Sequence, residues 1–90
     1  MRFINNYRID VQFLQRLSFQ LDRFSKKSDG LWNCRCPICG DSKKDKSKRR
    51  GFFGKVDSRI NYFCQNCNAN MPISQVLKLL DDNLYREYLF

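Results

Sequence analysis

The chain has 90 residues, 17 of them basic and 9 acidic, with five cysteines and no histidine. So short a chain buries too little apolar surface for its core alone to give much stability, so a disulfide, a metal or a partner is expected to contribute. An odd cysteine count without an apolar signal segment favours metal binding over disulfides, and the missing histidine excludes zinc sites that need an imidazole. The basic excess favours a polyanionic partner.

The N-terminal part carries apolar residues at spacings of three and four, which predicts an amphipathic helix over residues 10–27. The apolar positions are Phe13, Leu14, Leu17, Leu21 and Phe24. Asp10 is expected to cap the start of this helix, and Lys26 and Lys27 to lie at its negative end. The sequence Ser-Asp-Gly at 28–30 is then a stop signal.

Residues 31–70 have no helical period and contain all five cysteines. Two segments, Gly51–Val56 and Ile60–Cys64, have the composition of strands. Residues 57–59 between them predict a three-residue hairpin turn, although the usual glycine is missing.

The last section returns to a helical pattern, with Pro72 suited to a first turn. Its apolar face consists of Ile73, Val76, Leu77 and Leu80. Asp82 or Asn83 is expected to cap a further turn that holds Leu84, Tyr85, Tyr88 and Leu89. The apolar ending at Phe90 suggests that the chain continues in a longer protein.

Two Cys-x-x-Cys units are separated by 24 residues, enough for a hairpin to leave a metal ion and return. The predicted ligands are Cys36, Cys39, Cys64 and Cys67. Gly40 follows the first pair and can adopt the positive φ that a tight turn needs. Cys34 is a fifth thiol that could compete for the ion. A redox role is disfavoured because the βαβ context of such motifs is absent.

Four thiolates complete a tetrahedral shell, so the predicted cofactor is one structural Zn²⁺ ion. These 90 residues are not expected to be an enzyme, because metal-dependent nucleotidyl transfer needs clustered carboxylates. The chain has one glutamate, Glu87, and its adjacent acids Asp81 and Asp82 are better interpreted as a helix-end pair.

The charge is concentrated between residues 41 and 59, where eight basic side chains stand against three acidic ones. Because strand side chains alternate, one of Phe52 and Phe53 and one of Tyr62 and Phe63 should face solvent. Exposed aromatics beside basic residues suit single-stranded nucleic acid, although a solvated loop remains the alternative. The candidate binding residues are Lys43, Lys44, Lys46, Lys48, Arg49, Arg50, Phe52, Lys55, Arg59 and Tyr62. The basic residues do not follow one face of an amphipathic helix, so no membrane partner is expected.

These elements predict a small α+β zinc ribbon, in which a β-hairpin or short antiparallel sheet surrounds a four-cysteine zinc site between N- and C-terminal helices. The expected organisation is one zinc-binding domain over residues 1–90. It divides into a helical segment at 1–33, the ribbon at 34–70 and a second helical segment at 71–90.

Three blocks now indicate a family: Cys-Pro-Ile-Cys-Gly-Asp-Ser-Lys at 36–43, Lys-Arg-Arg-Gly-Phe-Phe at 48–53 and Tyr-Phe-Cys-Gln-Asn-Cys-Asn-Ala at 62–69. Together with Asn-Leu-Tyr-Arg-Glu-Tyr-Leu-Phe at 83–90, they resemble the amino-terminal zinc-binding domain of T-even-type bacteriophage DNA primases.

The resemblance implies a module that helps recognise a single-stranded DNA template for RNA primer synthesis in DNA replication. It further implies a primase catalytic domain beyond Phe90, a replicative helicase as partner, and the cytoplasm of the infected bacterial host as location. The alternative is a freestanding zinc-ribbon adaptor or transcription regulator that docks on an acidic protein.

Overall fold

A computed structural model describes residues 6–40 and 47–89 of the chain. Within these ranges the elements are helix α1 (Asn6–Leu17), a short 3-10 turn (Ser18–Gln20), strands β1 (Ser25–Ser28), β2 (Leu31–Cys34), β3 (Gly51–Val56), β4 (Arg59–Cys64) and β5 (Asn70–Pro72), and helices α2 (Ile73–Leu80) and α3 (Asp82–Leu89). The predicted α+β class is confirmed. In the described ranges no helix combines the length and apolar character needed to cross a membrane.

The five strands form one antiparallel sheet in the order β1-β2-β3-β4-β5. The predicted hairpin of β3 and β4 is present, but its turn is one residue shorter than expected, because Val56 pairs directly with Arg59. Asp57 adopts a φ of 58° in this turn. It therefore takes the left-handed conformation that glycine usually supplies and that Asp tolerates better than most residues.

The N-terminal helix is shorter than its apolar spacing predicts. It ends at Leu17, and residues 25–28 form the edge strand β1 instead of a last helical turn. Leu21 remains buried after the helix has ended. The spacing therefore marks the side of the segment that faces the core, and it does not require one continuous helix. The predicted stop at 28–30 is the turn between β1 and β2, with Gly30 at a φ of 76°.

The core lies between the helices and one side of the sheet, where α1 and α2 pack against β4. Its fully buried side chains include Leu14, Leu17, Phe53, Ile60, Tyr62, Ile73, Val76 and Leu77. Alternation along the strands turns Phe52 and Phe63 to the opposite side of the sheet. The prediction that one aromatic residue of each pair faces outward is confirmed.

The C-terminal section forms two helices, as its pattern indicates. Pro72 immediately precedes α2, where a missing N–H costs no hydrogen bond. The cap of α3 is Asp81, whose Oδ1 accepts a hydrogen bond from the Leu84 N–H at 3.1 Å. The expectation that Asp82 or Asn83 would be the cap was wrong by one or two residues, because the chain leaves α2 immediately before Asp81.

Candidate metal centre and nucleic-acid interface

The two Cys-x-x-Cys units fold into matching tight turns. In the first turn the Gly40 N–H donates to the Cys36 carbonyl at 3.0 Å, and in the second the Asn68 N–H donates to the Cys64 carbonyl at 2.9 Å. Gly40 has a φ of 76° and Asn68 a φ of 62°. The expected role of Gly40 is confirmed, and asparagine occupies the equivalent left-handed position in the second turn.

The sheet brings these two turns together, so that the Sγ atoms of Cys36, Cys39, Cys64 and Cys67 all lie within 4.8 Å of one another. The Cys36–Cys67 distance is 4.0 Å and the Cys39–Cys64 distance is 3.8 Å. Zn–S bonds of ~2.3 Å in a tetrahedron place sulfurs about 3.8 Å apart. The four sulfurs therefore have the spacing that one zinc ion needs, and they are the four that the sequence predicts.

Backbone and side-chain N–H groups point at these sulfurs. The Cys36 sulfur accepts from the N–H groups of Ile38 and Cys39, each at 3.4 Å. The Cys64 sulfur accepts from the Asn66 N–H at 3.3 Å, and the Asn66 amide reaches the Cys39 sulfur at 3.4 Å. Donors of this kind stabilise thiolates and orient them for a metal.

Burial of the thiols opposes the effect of these donors, because it disfavours the charged thiolate. It is the largest cause that raises the pKa of the Cys36 thiol and of the Cys64 thiol. The Tyr62 hydroxyl and the local N–H groups lower the Cys36 pKa in part. A metal must therefore displace protons from this site, which makes its affinity depend on pH.

Cys34 lies on β2 and is completely buried. It pairs with Gly51 across the sheet and lies outside the group of four sulfurs. The turn geometry thus selects the pair with knuckle spacing, Cys36 and Cys39.

Tyr62 was predicted to be a nucleic-acid contact, and the structure corrects this. Its side chain is 0% exposed, so its ring cannot stack on a base. The outward aromatic residue of β4 is Phe63, which is 37% exposed. Its ring stacks on that of Phe52, with centroids 5.4 Å apart and planes at 16°. The period-two pattern left either member of the pair open, and only the position of the helices decides between them.

We call the side of the sheet that carries this pair the open face; it consists of Asn33, Phe52, Asn61, Phe63 and Asn70. Strand pairing places Asn33 beside Phe52, Phe52 beside Phe63, and Phe63 beside Asn70. The Asn61 amide donates to the Asn70 side-chain oxygen at 2.6 Å. The open face therefore has two aromatic rings bordered by the accessible amides of Asn61 and Asn70 on one side and by the amide of Asn33, which is only 6% exposed, on the other.

The backbone of residues 48–49 runs beside the open face before the chain enters β3. The Asn33 amide donates to the Arg49 carbonyl at 3.3 Å, and an Arg35 Nη1–H donates to the Lys48 carbonyl at 3.3 Å. The side chains of Lys48 and Arg49 are exposed, and Arg50 is half-buried. Lys43, Lys44 and Lys46, also predicted to bind nucleic acid, lie outside the described residues.

Two other predicted contacts turn toward the helices. The Lys55 ammonium lies 4.8 Å from the ring centroid of Tyr7 on α1. The Arg59 guanidinium bonds to the Asp10 carboxylate at 3.1 Å and also reaches the Tyr88 hydroxyl. Arg59 therefore has a structural role at the end of the hairpin, which sequence charge alone does not distinguish from phosphate binding.

Asp10 is the feature that sequence reasoning misassigned. It lies inside α1, is 1% exposed, and does not cap the helix. Its carboxylate accepts from the Ile60 N–H at 2.8 Å, the Tyr88 hydroxyl at 2.6 Å and Arg59. An acid in the apolar stretch of a helix, together with an arginine at a predicted hairpin turn, was the available signal.

The comparisons agree with this picture. The chain is 39% identical over 85 residues to the DNA primase of Enterobacteria phage T4, an alignment that covers 91% of this chain. No protein-family model matches. The chain spans 25% of the length of that curated relative. The resemblance to phage primases is confirmed, and the four-cysteine cluster fits a zinc-binding domain.

Proposed function

We propose that this chain is the zinc-ribbon module of a phage DNA primase and that it helps bind single-stranded template DNA for RNA primer synthesis. Its similarity to the T4 primase supports the primase assignment. The observation that carries the DNA-binding role is the open face, where the rings of Phe52 and Phe63 stack and Asn33 binds the carbonyl of Arg49, which with Lys48 is an exposed basic residue just before β3.

The open face has the chemistry of a single-strand platform. Unpaired bases present flat apolar faces that stack on aromatic rings, at about 1–3 kcal/mol per base. The amides of Asn61 and Asn70 border these rings and can donate to or accept from base edges. Lys48 and Arg49 add positive charge for the phosphates. The proposal thus divides base contact and phosphate contact between two adjacent groups of residues.

In this proposal one Zn²⁺ ion is held by the four clustered thiolates and has a structural role. Cys36 follows β2 and Cys64 ends β4, so the ion would fasten together the two strands that flank β3. Four protein ligands leave no coordination position for a reactive water. The zinc would therefore keep Phe52 and Phe63 in register and do no chemistry.

The same proposal extends to the longer protein. Primer synthesis would be catalysed by a carboxylate-bearing domain outside these 90 residues. The partners would be the DNA template, that catalytic domain and a replicative helicase, in the cytoplasm of the infected bacterium.

The test is a fluorescence titration of the zinc-loaded chain with labelled single-stranded DNA at two salt concentrations. With about six phosphates contacted, the slope of log affinity against log salt should be near −4. The variant K48A/R49A/R50A should bind more weakly and lose about 2 from that slope. The variant F52A/F63A should lose about 5- to 150-fold in affinity per base stacked and keep the slope.

Matched controls lie on the helices and the 3-10 turn. R8A/K78A/R86A removes the same charge from α1, α2 and α3, and F19A removes another exposed phenylalanine. Both controls should bind DNA nearly as the unmodified chain does. Absent or salt-independent binding would contradict the proposal. Capture of an acidic replication or transcription protein through Lys48–Arg50, without DNA binding, would support the adaptor function instead.

A further inference from the structure

The backbone of residues 48–50, immediately before β3, is bound at each of its carbonyl groups. In chain order, these carbonyls accept hydrogen bonds from the Arg35 Nη1–H at 3.3 Å, the Asn33 amide at 3.3 Å and the Gln65 N–H at 2.9 Å. Two of the three basic side chains on this segment are nevertheless exposed. The fold thus fixes the backbone of these residues and leaves charged side chains in solvent.

Arg35 differs from the other two donors because its side chain also binds a second segment. Its Nη2–H donates to the Gly40 carbonyl at 2.7 Å, in the turn of the first cysteine pair, while its Nη1–H reaches the Lys48 carbonyl. A guanidinium group is planar and holds its donors in a fixed fork. One side chain therefore joins the first cysteine turn to the start of the basic residues.

Arg35 itself is poorly placed to bind a phosphate. Its side chain is only 12% exposed, and its Nε lies 3.5 Å from the Asp22 carboxylate. Its two Nη atoms bind the carbonyls of Gly40 and Lys48. All three guanidinium nitrogens thus have partners within the chain, so an effect of Arg35 on DNA binding must act through the residues that it holds.

We propose that Arg35 is a positioning residue for DNA binding, which holds the backbone at Lys48 so that the side chains of Lys48 and Arg49 are directed toward the phosphates. The inference rests on the proposed function, in which these two side chains contact the template. Ordering the backbone of a flexible segment has an entropic cost that opposes binding. A segment that is already ordered in the free protein avoids this cost, so it binds DNA more tightly.

The first experiment measures the affinity of R35A and R35K for single-stranded DNA at two salt concentrations. Lysine keeps the positive charge but has no planar fork to span the two carbonyls. Both variants should bind about 5- to 30-fold more weakly, the factor expected when the backbone of one residue must be ordered on binding. The salt slope should stay unchanged in both, because Lys48 and Arg49 still contact the phosphates.

R16A and R16K are the matched controls, since Arg16 uses its fork on the Glu87 carboxylate between α1 and α3. Both should bind DNA as the unmodified chain does. The result for R35K separates positioning from charge. If R35K bound normally while R35A lost about 0.7 from the salt slope, Arg35 would be a phosphate contact, and the inference would be overturned.

The second experiment needs no variant, so it stands even if the Arg35 variants fold poorly. In the free, zinc-loaded chain, ¹⁵N relaxation should give Lys48 and Arg49 backbone order parameters of about 0.85, the value of rigid backbone, and DNA should leave them unchanged. Values below about 0.6 that rise only when DNA is added would overturn the inference. A zinc-loaded, unmodified chain that binds no DNA would overturn the proposed function itself, so the two failures are distinguishable.

Discussion

The hairpin of β3 and β4 is fastened at both ends, by two different kinds of chemistry. At its open end, Cys64 joins the four sulfurs of the metal centre. At its turn end, the Arg59 side chain and the Ile60 N–H are bound by the carboxylate of Asp10. The first is a cluster of four thiols that could hold one metal ion, and the second is a buried acid with three donors.

The two ends also differ in which parts of the chain they join. The sulfur cluster joins Cys36 to Cys67, 31 residues apart, within the ribbon. Asp10 joins α1 to the hairpin and to Tyr88 on α3, 78 residues away. The metal end therefore organises the ribbon locally, whereas the carboxylate end connects the terminal helices to it. Each fastening can be broken separately.

Removal of zinc should have the largest effect. Structural zinc in small peptides contributes on the order of 10–16 kcal/mol, comparable to the whole stability of a domain. A strong chelator should therefore unfold residues 31–70, seen as loss of circular dichroism and of amide exchange protection. Readdition of zinc should restore both signals. Unchanged circular dichroism after verified metal removal would show that the carboxylate end and the core suffice without the metal.

Breaking the carboxylate end should cost less. Asp10→Ala leaves Arg59 and two other donors without their buried partner, a loss of about 3–5 kcal/mol. Thermal melting of the zinc-loaded variant should shift well below that of the unmodified chain, while zinc stoichiometry stays at one.

Asp22→Ala is the matched control for that variant. Asp22 is exposed and pairs with Arg35 at 3.5 Å, an arrangement worth less than about 1 kcal/mol. If Asp10→Ala melted like Asp22→Ala, the buried network would have no stabilising role, and the metal would be the main fastening of the hairpin.

The smallest effect concerns pH at the carboxylate end. Burial, and then the hydrogen bond to Asp10, raise the pKa of Tyr88 to about 12. This folded value exceeds the usual pKa of about 10 of an unfolded tyrosine. The contribution of Tyr88 to the free energy of unfolding is therefore complete below about pH 10 and is lost as the pH rises toward 12.

The measurement is the melting temperature between about pH 9 and pH 12, with phenolate absorbance recorded in parallel. Y88F should lose less stability over this range than the unmodified chain. Parallel curves for the two proteins would show that Tyr88 does not couple ionisation to folding.

The sequence predictions were correct where a structure depends on a local pattern of residues, and they failed where it depends on contacts between distant parts of the chain. The four clustered cysteines and the strands of the central hairpin follow local patterns, and their positions were predicted nearly to the residue. Strand β1 has the sequence Ser-Lys-Lys-Ser and β5 has Asn-Met-Pro. Neither edge strand carries an apolar alternation; the lysines of β1 and the proline of the short β5 are instead residues that protect exposed sheet edges. The sequence therefore had no signal for them.

By itself, the sequence identified the four cysteines that the fold brings together, and the absence of histidine means that a metal held by them would have an all-thiolate shell. It also determined that one aromatic residue of each strand pair would face outward. Only the tertiary structure decided that Phe63 and not Tyr62 is that residue, because the packing of α1 and α2 selects the buried side of the sheet. The same packing makes Asp10 the buried partner of the hairpin, where the sequence had predicted a helix cap. Its contacts join residues 49 to 78 positions apart.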